Sequence, residues 1–598
     1  MALTDNCDLF VAVHETGINR VLGHVIRQRP SLVNYGSPAV VQNPELLCAK
    51  VHAHPVVRQR DNPLVSIGPP LPVVLTGGAY QMEYAVQLTR AEVDVSPGTI
   101  ALPGELNPHL KPQRFAVRTT LCAGLGCPPD EIVDQLPRPQ RSPGRRQGDP
   151  VRILTSRLTC FCLDLFAIGG VDFIGAAGDQ RLLGKLDGLE IVDLAPAELE
   201  NAVECYLRFV ARLGVLPRLS VPVIRFTKDL LGLATAIVEP TPEKPTVPSN
   251  PALEDDQIKV FLDLTVTPSS PGGGGGSSPP VIPGTPRPRV RTGAFDVTAA
   301  MSEPATRDTF AVVRDTFSFD TSGSADFGPF SVSYAVAAHL EDGTLDLHGD
   351  NTMRVSELDV KFDTLRLCFG IDIPEICVGG FCIIPNPFGG CLLRAPRICV
   401  FSDDPDIEFC LDIGGLITSE ISMTLTPLTK YSVNPSRSPA MNDWDARDAG
   451  IPNHWQLYID PVTLDVDLFD IADIVGDLLE AAVDAAIDTL LGPLPGWAKD
   501  LIKALLGPVI DVVRAILDFG DDLEEWLSDL LGVSLGLFDL ILTAIADYLA
   551  EDHPLFEVED PLQILPADGA LIPVLLPVEF VGTRVTDDEV VVEADIGG

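Results

Sequence analysis

Two matching patterns of apolar and polar positions open the two halves of the chain. In Cys7-Asp-Leu-Phe-Val-Ala-Val-His-Glu15 an apolar, strand-like run is followed by Ile18, Val21, Leu22, Val25 and Ile26 at helical spacing. In Phe295-Asp-Val-Thr-Ala-Ala-Met-Ser-Glu303 the same arrangement leads into Thr306, Phe310, Val313 and Phe317. A strand-like run that gives way to a 3.6-residue period predicts strand then helix. His14 and Ser302 stand where an N-cap is needed. Pro304 falls at the helix start, where its missing N–H costs little.

The halves also end alike. Asp255-Asp-Gln-Ile-Lys-Val-Phe-Leu-Asp-Leu264 matches Asp587-Asp-Glu-Val-Val-Val-Glu-Ala-Asp-Ile596 position by position. Ile258, Val260, Leu262 and Leu264 alternate with outward residues, as do Val590, Val592, Ala594 and Ile596. Each half therefore closes with a strand that buries one face. Between these ends, Cys122-Ala-Gly-Leu-Gly-Cys127 parallels Cys377-Val-Gly-Gly-Phe-Cys382. Three correspondences in one order indicate a tandem duplication.

Inside each half the pattern runs from strands to helix to closing strand. After Asp193-Leu-Ala-Pro196, a helix is predicted with Leu199, Val203, Tyr206, Leu207 and Val210 on one face. In the second half the strand-rich part spans roughly 328–433. It is followed by a stripe of Ile471, Ile474, Val475, Leu478, Leu479, Val483, Ile487, Leu490 and Leu491. Asp473, Asp477, Glu480, Asp484 and Asp488 line the opposite side, as on an amphipathic helix. Further helices are expected over about 497–550, with a disturbance at Gly507-Pro508. Segregated strands and helices give an α+β fold. The clearest break, Pro271-Gly-Gly-Gly-Gly-Gly-Ser-Ser-Pro-Pro280 and the spaced prolines after it, reads as a linker. We therefore divide the chain into a first unit (1–266), a linker (267–291) and a second unit (292–598).

Composition narrows the function. The 598 residues carry 42 Lys and Arg against 84 Asp and Glu, a net charge of −42. Residues 451–598 hold 31 of the acids and only 4 bases. Nucleic acid is thereby excluded as an expected partner, since phosphate binding needs clustered cations, and docking on anionic lipid is disfavoured. A protein partner could use the acidic C-terminal region. No basic–apolar leader opens the sequence, so a cytoplasmic location or a leaderless export route is expected. The most apolar window, Leu530 to Leu549, contains Asp539 and Asp547 and is read as a buried helix, not a membrane span.

Candidate chemistry is sparse. The thirteen cysteines include six between Cys368 and Cys410, at spacings unlike a zinc module. Cys377 and Cys382 flank a predicted Gly-Gly hairpin turn, which would set the two directly opposite each other. Cys122 and Cys127 parallel them, so these four are candidate disulfide residues; small apolar side chains in strands is the alternative reading. There is no G-x-S-x-G, no H-E-x-x-H and no dinucleotide fingerprint. Gly178-Asp-Gln-Arg-Leu-Leu-Gly184-Lys185 is one residue too long for a phosphate loop and lacks the Ser or Thr. His52 and His54 share a strand face but have no evident third ligand. A non-enzymatic protein without cofactor or metal is expected.

Val13-His-Glu-Thr-Gly-Ile-Asn-Arg-Val-Leu-Gly-His-Val25, the late helices (196–213, 471–491) and the closing strands resemble the tubular lipid-binding (TULIP) superfamily. That resemblance implies two units in tandem, each a long twisted antiparallel sheet wrapped around a long amphipathic helix, with acyl chains in the seam. It places Val21, Leu22, Val25, Leu199, Val203, Tyr206, Val210, Phe310, Val313, Leu478, Val483 and Ile487 along a hydrophobic groove. The expected function is binding, and by extension transport, of a lipid or other hydrophobic small molecule. The alternative is a structural protein of a larger particle or toxin complex, in which the same stripes are plain core.

Overall fold

The computed structural model describes residues 2–74, 76, 78–106, 109–136, 152–154, 157–175, 181–192, 194, 197–215, 221–222, 234–245, 247–268, 282–283, 295–327, 330–372, 377–378, 382–385, 391–394, 398–399, 406–412, 414, 417–438, 440–448, 450–471 and 556–598. Strands dominate, and the described helices are short. The fold is α+β.

Both predicted openings form. A strand at Leu9–His14 runs directly into a helix at Glu15–Gln28, and a strand at Val297–Ser302 runs into a helix at Glu303–Thr316. The His14 side chain accepts from Thr16 N, and Ser302 from Ala305 N, so both predicted caps operate. The two closing strands, Gln257–Pro268 and Glu589–Ile596, also form.

These four strands lie side by side in one seven-stranded sheet. Its order is Ala234–Pro240, Gln257–Pro268, Leu9–His14, Val297–Ser302, Glu589–Ile596, Val578–Val585, with Ala252–Glu254 on the second of these. The opening strands pair antiparallel, with Val11 opposite Ala299. Val13 faces Ile258 in one half, and Met301 faces Val590 in the other, the register of the sequence match. The equivalence reaches single hydrogen bonds. Glu15 N donates to Asp256 O and Glu303 N to Asp588 O, each at 2.9 Å. His14 N donates to Asp296 O, and Ser302 N to Asp8 O. Leu264 N donates to the Asp8 carboxylate and Ile596 N to that of Asp296. Glu15 accepts from Val95 N and Glu303 from Leu347 N. A duplicated fold about an approximate two-fold axis at Val11–Ala299 accounts for all of these pairs.

Each unit adds a long antiparallel sheet. In the first, the order includes Arg181–Ile191, Leu158–Ile174, Phe115–Gly126 and Tyr84–Val95. In the second it includes Phe330–His348, Thr352–Asp372, Ile417–Val433 and Asn453–Ile471. The expected long helix enclosed by the sheet differs from what the described residues show: both opening helices have 14 residues. Ile471, expected to begin a helical stripe, ends a strand. The rest of that stripe and the helices of 497–550 lie outside the described residues. So does the linker, except Thr267–Pro268, which end the strand Gln257–Pro268, and Ile282–Pro283, which pairs with Val433 and Ser432.

Polar residues fasten the first helix to the second unit. Its buried positions include His24 and Gln28, with Arg29 buried just after it. His24 Nε2 meets Gly597 O at 2.8 Å. Gln28 donates to Leu575 O at 2.8 Å and accepts from Leu575 N at 2.7 Å. Arg29 donates to Pro566 O and Ile572 O, and Arg20 pairs with Asp296. Beside this latch, Val56 and Val57 of the first unit pack with Trp444, Ile572 and Leu575 of the second. Burial lowers the His24 pKa below its usual value, against the pull of Gly597 O, so the ring stays neutral.

Gln28→Leu keeps the bulk but strands both Leu575 backbone groups without a partner. It should cost about 1–3 kcal/mol, read as a lower urea midpoint at unchanged m-value. An unchanged midpoint would contradict the latch.

Candidate functional site

One face of the first unit's sheet carries a continuous run of apolar residues. Leu88 stands opposite Leu121, and Leu121 opposite Leu163; Val93 stands opposite Val117, and Val117 opposite Ala167. Side chains alternate along a strand, so these residues share a face. All six are half-buried.

A helix runs along each side of this floor, and polar side chains fix both. On one side, the Glu15–Gln28 helix holds Val93: Asn19 donates to Val93 O and accepts from Val93 N, both at 2.8 Å. On the other side lies the helix Ala197–Val210, continued by a π-helical turn at Ala211–Val215. Ile191 N donates to Glu204 at 3.0 Å, Arg208 donates to Leu189 O at 3.0 Å, and Arg212 donates to Leu186 O at 2.8 Å. Residues i, i+4 and i+8 of one helix thus satisfy backbone groups of the strand Arg181–Ile191, which would otherwise stand open as a sheet edge.

The predicted groove residues divide. Val21, Leu22 and Val25 are half-buried on the first helix, and Phe310 and Val313 likewise on the second unit's opening helix, where Ala305 and Val312 are buried. Val203 packs, with Leu207, against Leu165, Leu189 and Ile191. Leu199, Tyr206 and Val210 do not face inward but are exposed, Tyr206 at 67%. The helix turns its Glu204–Arg208–Arg212 row to the sheet edge, and this rotates the expected stripe outward. Leu478, Val483 and Ile487 lie outside the described residues. The floor itself, Leu88 to Ala167, was missed; its signal was the alternation in Tyr84–Val95 and Phe115–Gly126.

The disulfides also differ from expectation. Cys122 is bonded to Cys162, its direct cross-strand neighbour, and Cys127 is an exposed free thiol. Cys368 is bonded to Cys410, again directly opposite, in the second unit. A third bond joins Cys48 to Cys160 and crosses the sheet at Gly124, where a Cβ would come within 2.5 Å of Cys48 Sγ. The predicted Cys377–Cys382 hairpin does not form: Cys377 stands opposite Cys399, and Cys382 opposite Arg394.

Elsewhere, chemistry remains sparse. His54 Nδ1 accepts from Val56 N and so caps a short helix. Among the described residues no group of three or more His, Cys, Asp or Glu is placed to hold a metal. Likewise, no described helix is long and apolar enough to cross a membrane. A surface pocket of about 410 Å³ beside Cys7 is lined by Asp5, Asp8, Asp263, Glu303 and Asp588 against Lys244. Most of these carboxylates have structural work: Asp8 and Glu303 hold backbone N–H groups, and Asp263 accepts from Thr241. Burial pushes the Cys7 thiol up to about 12, so it is no nucleophile.

No protein-family model matches the chain, and no curated protein matches it. Among solved structures it aligns with a crystal structure of lipopolysaccharide binding protein over 99% of both chains, at 8% identity and a TM-score of 0.30. An overlap of that size carries no argument about ligand.

One titratable carboxyl bears on the Ala197–Val210 helix. Glu190 is raised to about 7, first by burial and then by the charge and hydrogen bond of Glu204, with Glu105 and Glu200 adding to it. The cation near Glu204 is Arg208, at 3.8 Å. A carboxyl raised above its unfolded value favours the docked helix fully below pH about 4.5 and withdraws that support as pH rises through about 7. Amide exchange in residues 197–210, corrected for intrinsic rate, should accelerate between pH 5.5 and pH 8. Glu190→Gln should flatten this dependence; equal pH dependence in the variant would contradict the assignment.

Proposed function

We propose that the protein is a non-enzymatic carrier of an elongated hydrophobic molecule, held on the first unit's apolar sheet face between its two edge helices. The observation that supports this reading is the half-buried state of Val86, Leu88, Val93, Val117, Leu121, Ala123 and Leu163. A sheet face of this size in a well-packed domain is normally closed, and leaving it half-open keeps apolar area in contact with water that a ligand would release. Each buried methylene contributes roughly 0.8 kcal/mol, so an acyl chain of ordinary length suffices for tight binding.

Charge selects the ligand's polar end. The molecule carries a net charge of −42, and the cations along the groove's outer helix, Arg208 and Arg212, are engaged by Leu189 O and Leu186 O. A neutral head group, such as that of an acylglycerol or a sterol, therefore fits better than a phosphate or carboxylate. Three disulfides among the described residues favour folding in an oxidising compartment, so of the two locations expected from sequence we favour export. The structural-protein alternative would leave the same face to a protein partner.

Organic extraction of natively purified protein followed by mass spectrometry should yield a neutral lipid in stoichiometric amount. Leu121→Glu should lower retention of a neutral fluorescent lipid more than tenfold without loss of the far-UV circular dichroism spectrum. An empty extract, together with no binding of the fluorescent lipid, would overturn the proposal.

A further inference from the structure

The duplication allows the two sheets to be compared position by position, and they are unequal. Val95 and Leu347 are equivalent, because each donates its N–H to the first glutamate of its unit's opening helix. Two residues earlier, Val93 is held by Asn19, and Leu345 by Arg307 through Leu345 O at 2.7 Å. From these anchors the register assigns the rest. The row Val93–Val117–Ala167 matches Leu345–Val355–Met423, and the row Val95–Phe115–Gly169 matches Leu347–Met353–Leu425.

In the first of these rows the second unit is closed: Leu345, Val355 and Met423 are 2%, 1% and 3% exposed, whereas Val93, Val117 and Ala167 are half-buried; in the other row Val95 and Gly169 are buried, as are Leu347 and Leu425. Neighbouring Leu358, Val360 and Leu365 are buried as well. Side-chain size follows the same division. Where the first unit has Val and Ala at positions 93 and 167, the second has Leu345 and Met423. Small side chains on a concave sheet leave volume above them, and large ones take it up.

We infer that the binding capacity of this molecule is one ligand per chain, seated on the first unit, and that the equivalent face of the second unit serves as core. This rests on the carrier reading above. It specifies where the ligand sits and what distinguishes the two halves: the residues at 93 and 167 against those at 345 and 423.

Native mass spectrometry of the full chain titrated with a monoacylglycerol gives the count. One bound molecule is expected. Two bound molecules would overturn the single-site inference while leaving the carrier reading in place, and none would overturn both. A second variant guards against effects of misfolding. Val93→Leu with Ala167→Met transplants the second unit's side chains into the first, and should abolish the single bound molecule while leaving the melting temperature equal or raised. Retention of one ligand by that well-folded double variant would place the site elsewhere and overturn the inference.

Discussion

The structure hangs on the antiparallel pairing of Leu9–Val13 with Val297–Met301. Neither opening strand is an edge: each has the other on one side and its own unit's closing strand on the other. Their backbone groups are therefore satisfied only when both halves are present, and buried backbone groups without partners are costly. From this pair the opening helices start at fixed points, His14 and Ser302, and their first glutamates fix the long sheets through Val95 and Leu347. The halves are thus two sequence units but one folded body, closed further by the His24–Gln28–Arg29 latch and the Val57–Trp444 contact. The helix that borders the proposed groove is itself held in place by the C-terminal strands of the other half.

Much of this was legible in the sequence because it is written in local patterns. The strand, cap, glutamate and helix at Cys7–Ile26 and Phe295–Phe317 each form where the pattern places them. So do the closing strands, whose sequence match reappears as structural register. What was not legible is decided by distant partners. Cys122 pairs with Cys162 because sheet register sets them opposite, and no turn spacing near Cys127 reveals that. The helix at Ala197–Val210 shows its apolar stripe correctly, but a helix packs by its most demanding contacts. Here those are Glu204, Arg208 and Arg212, three polar residues that close a strand edge and leave Leu199, Tyr206 and Val210 outside. His24 and Gln28 mislead in the same way, since polarity suggests exposure and these two are buried against backbone carbonyls.

The functional reading follows from divergence between duplicates. Glu15 and Glu303, or Asp8 and Asp296, make the same bonds in both halves: they hold the frame, and each loss would strand a backbone group. The floor residues are free of that constraint, so Ala167 and Met423 can differ. Their difference in volume separates a face that is closed by its own side chains from one that a ligand would close. Binding on this account requires no catalytic group, only exposed apolar area on a rigid support.

The direct test of the shared central sheet is to cut the chain between its halves. A protease site placed between Gly273 and Gly274 severs the linker without touching the paired strands. If the sheet joins the units as described, the cleaved protein elutes from a sizing column as a single species of undiminished size, and separates into two fragments only in denaturant. If the fragments part under native conditions with their secondary structure intact, the halves are independent domains and the account is wrong.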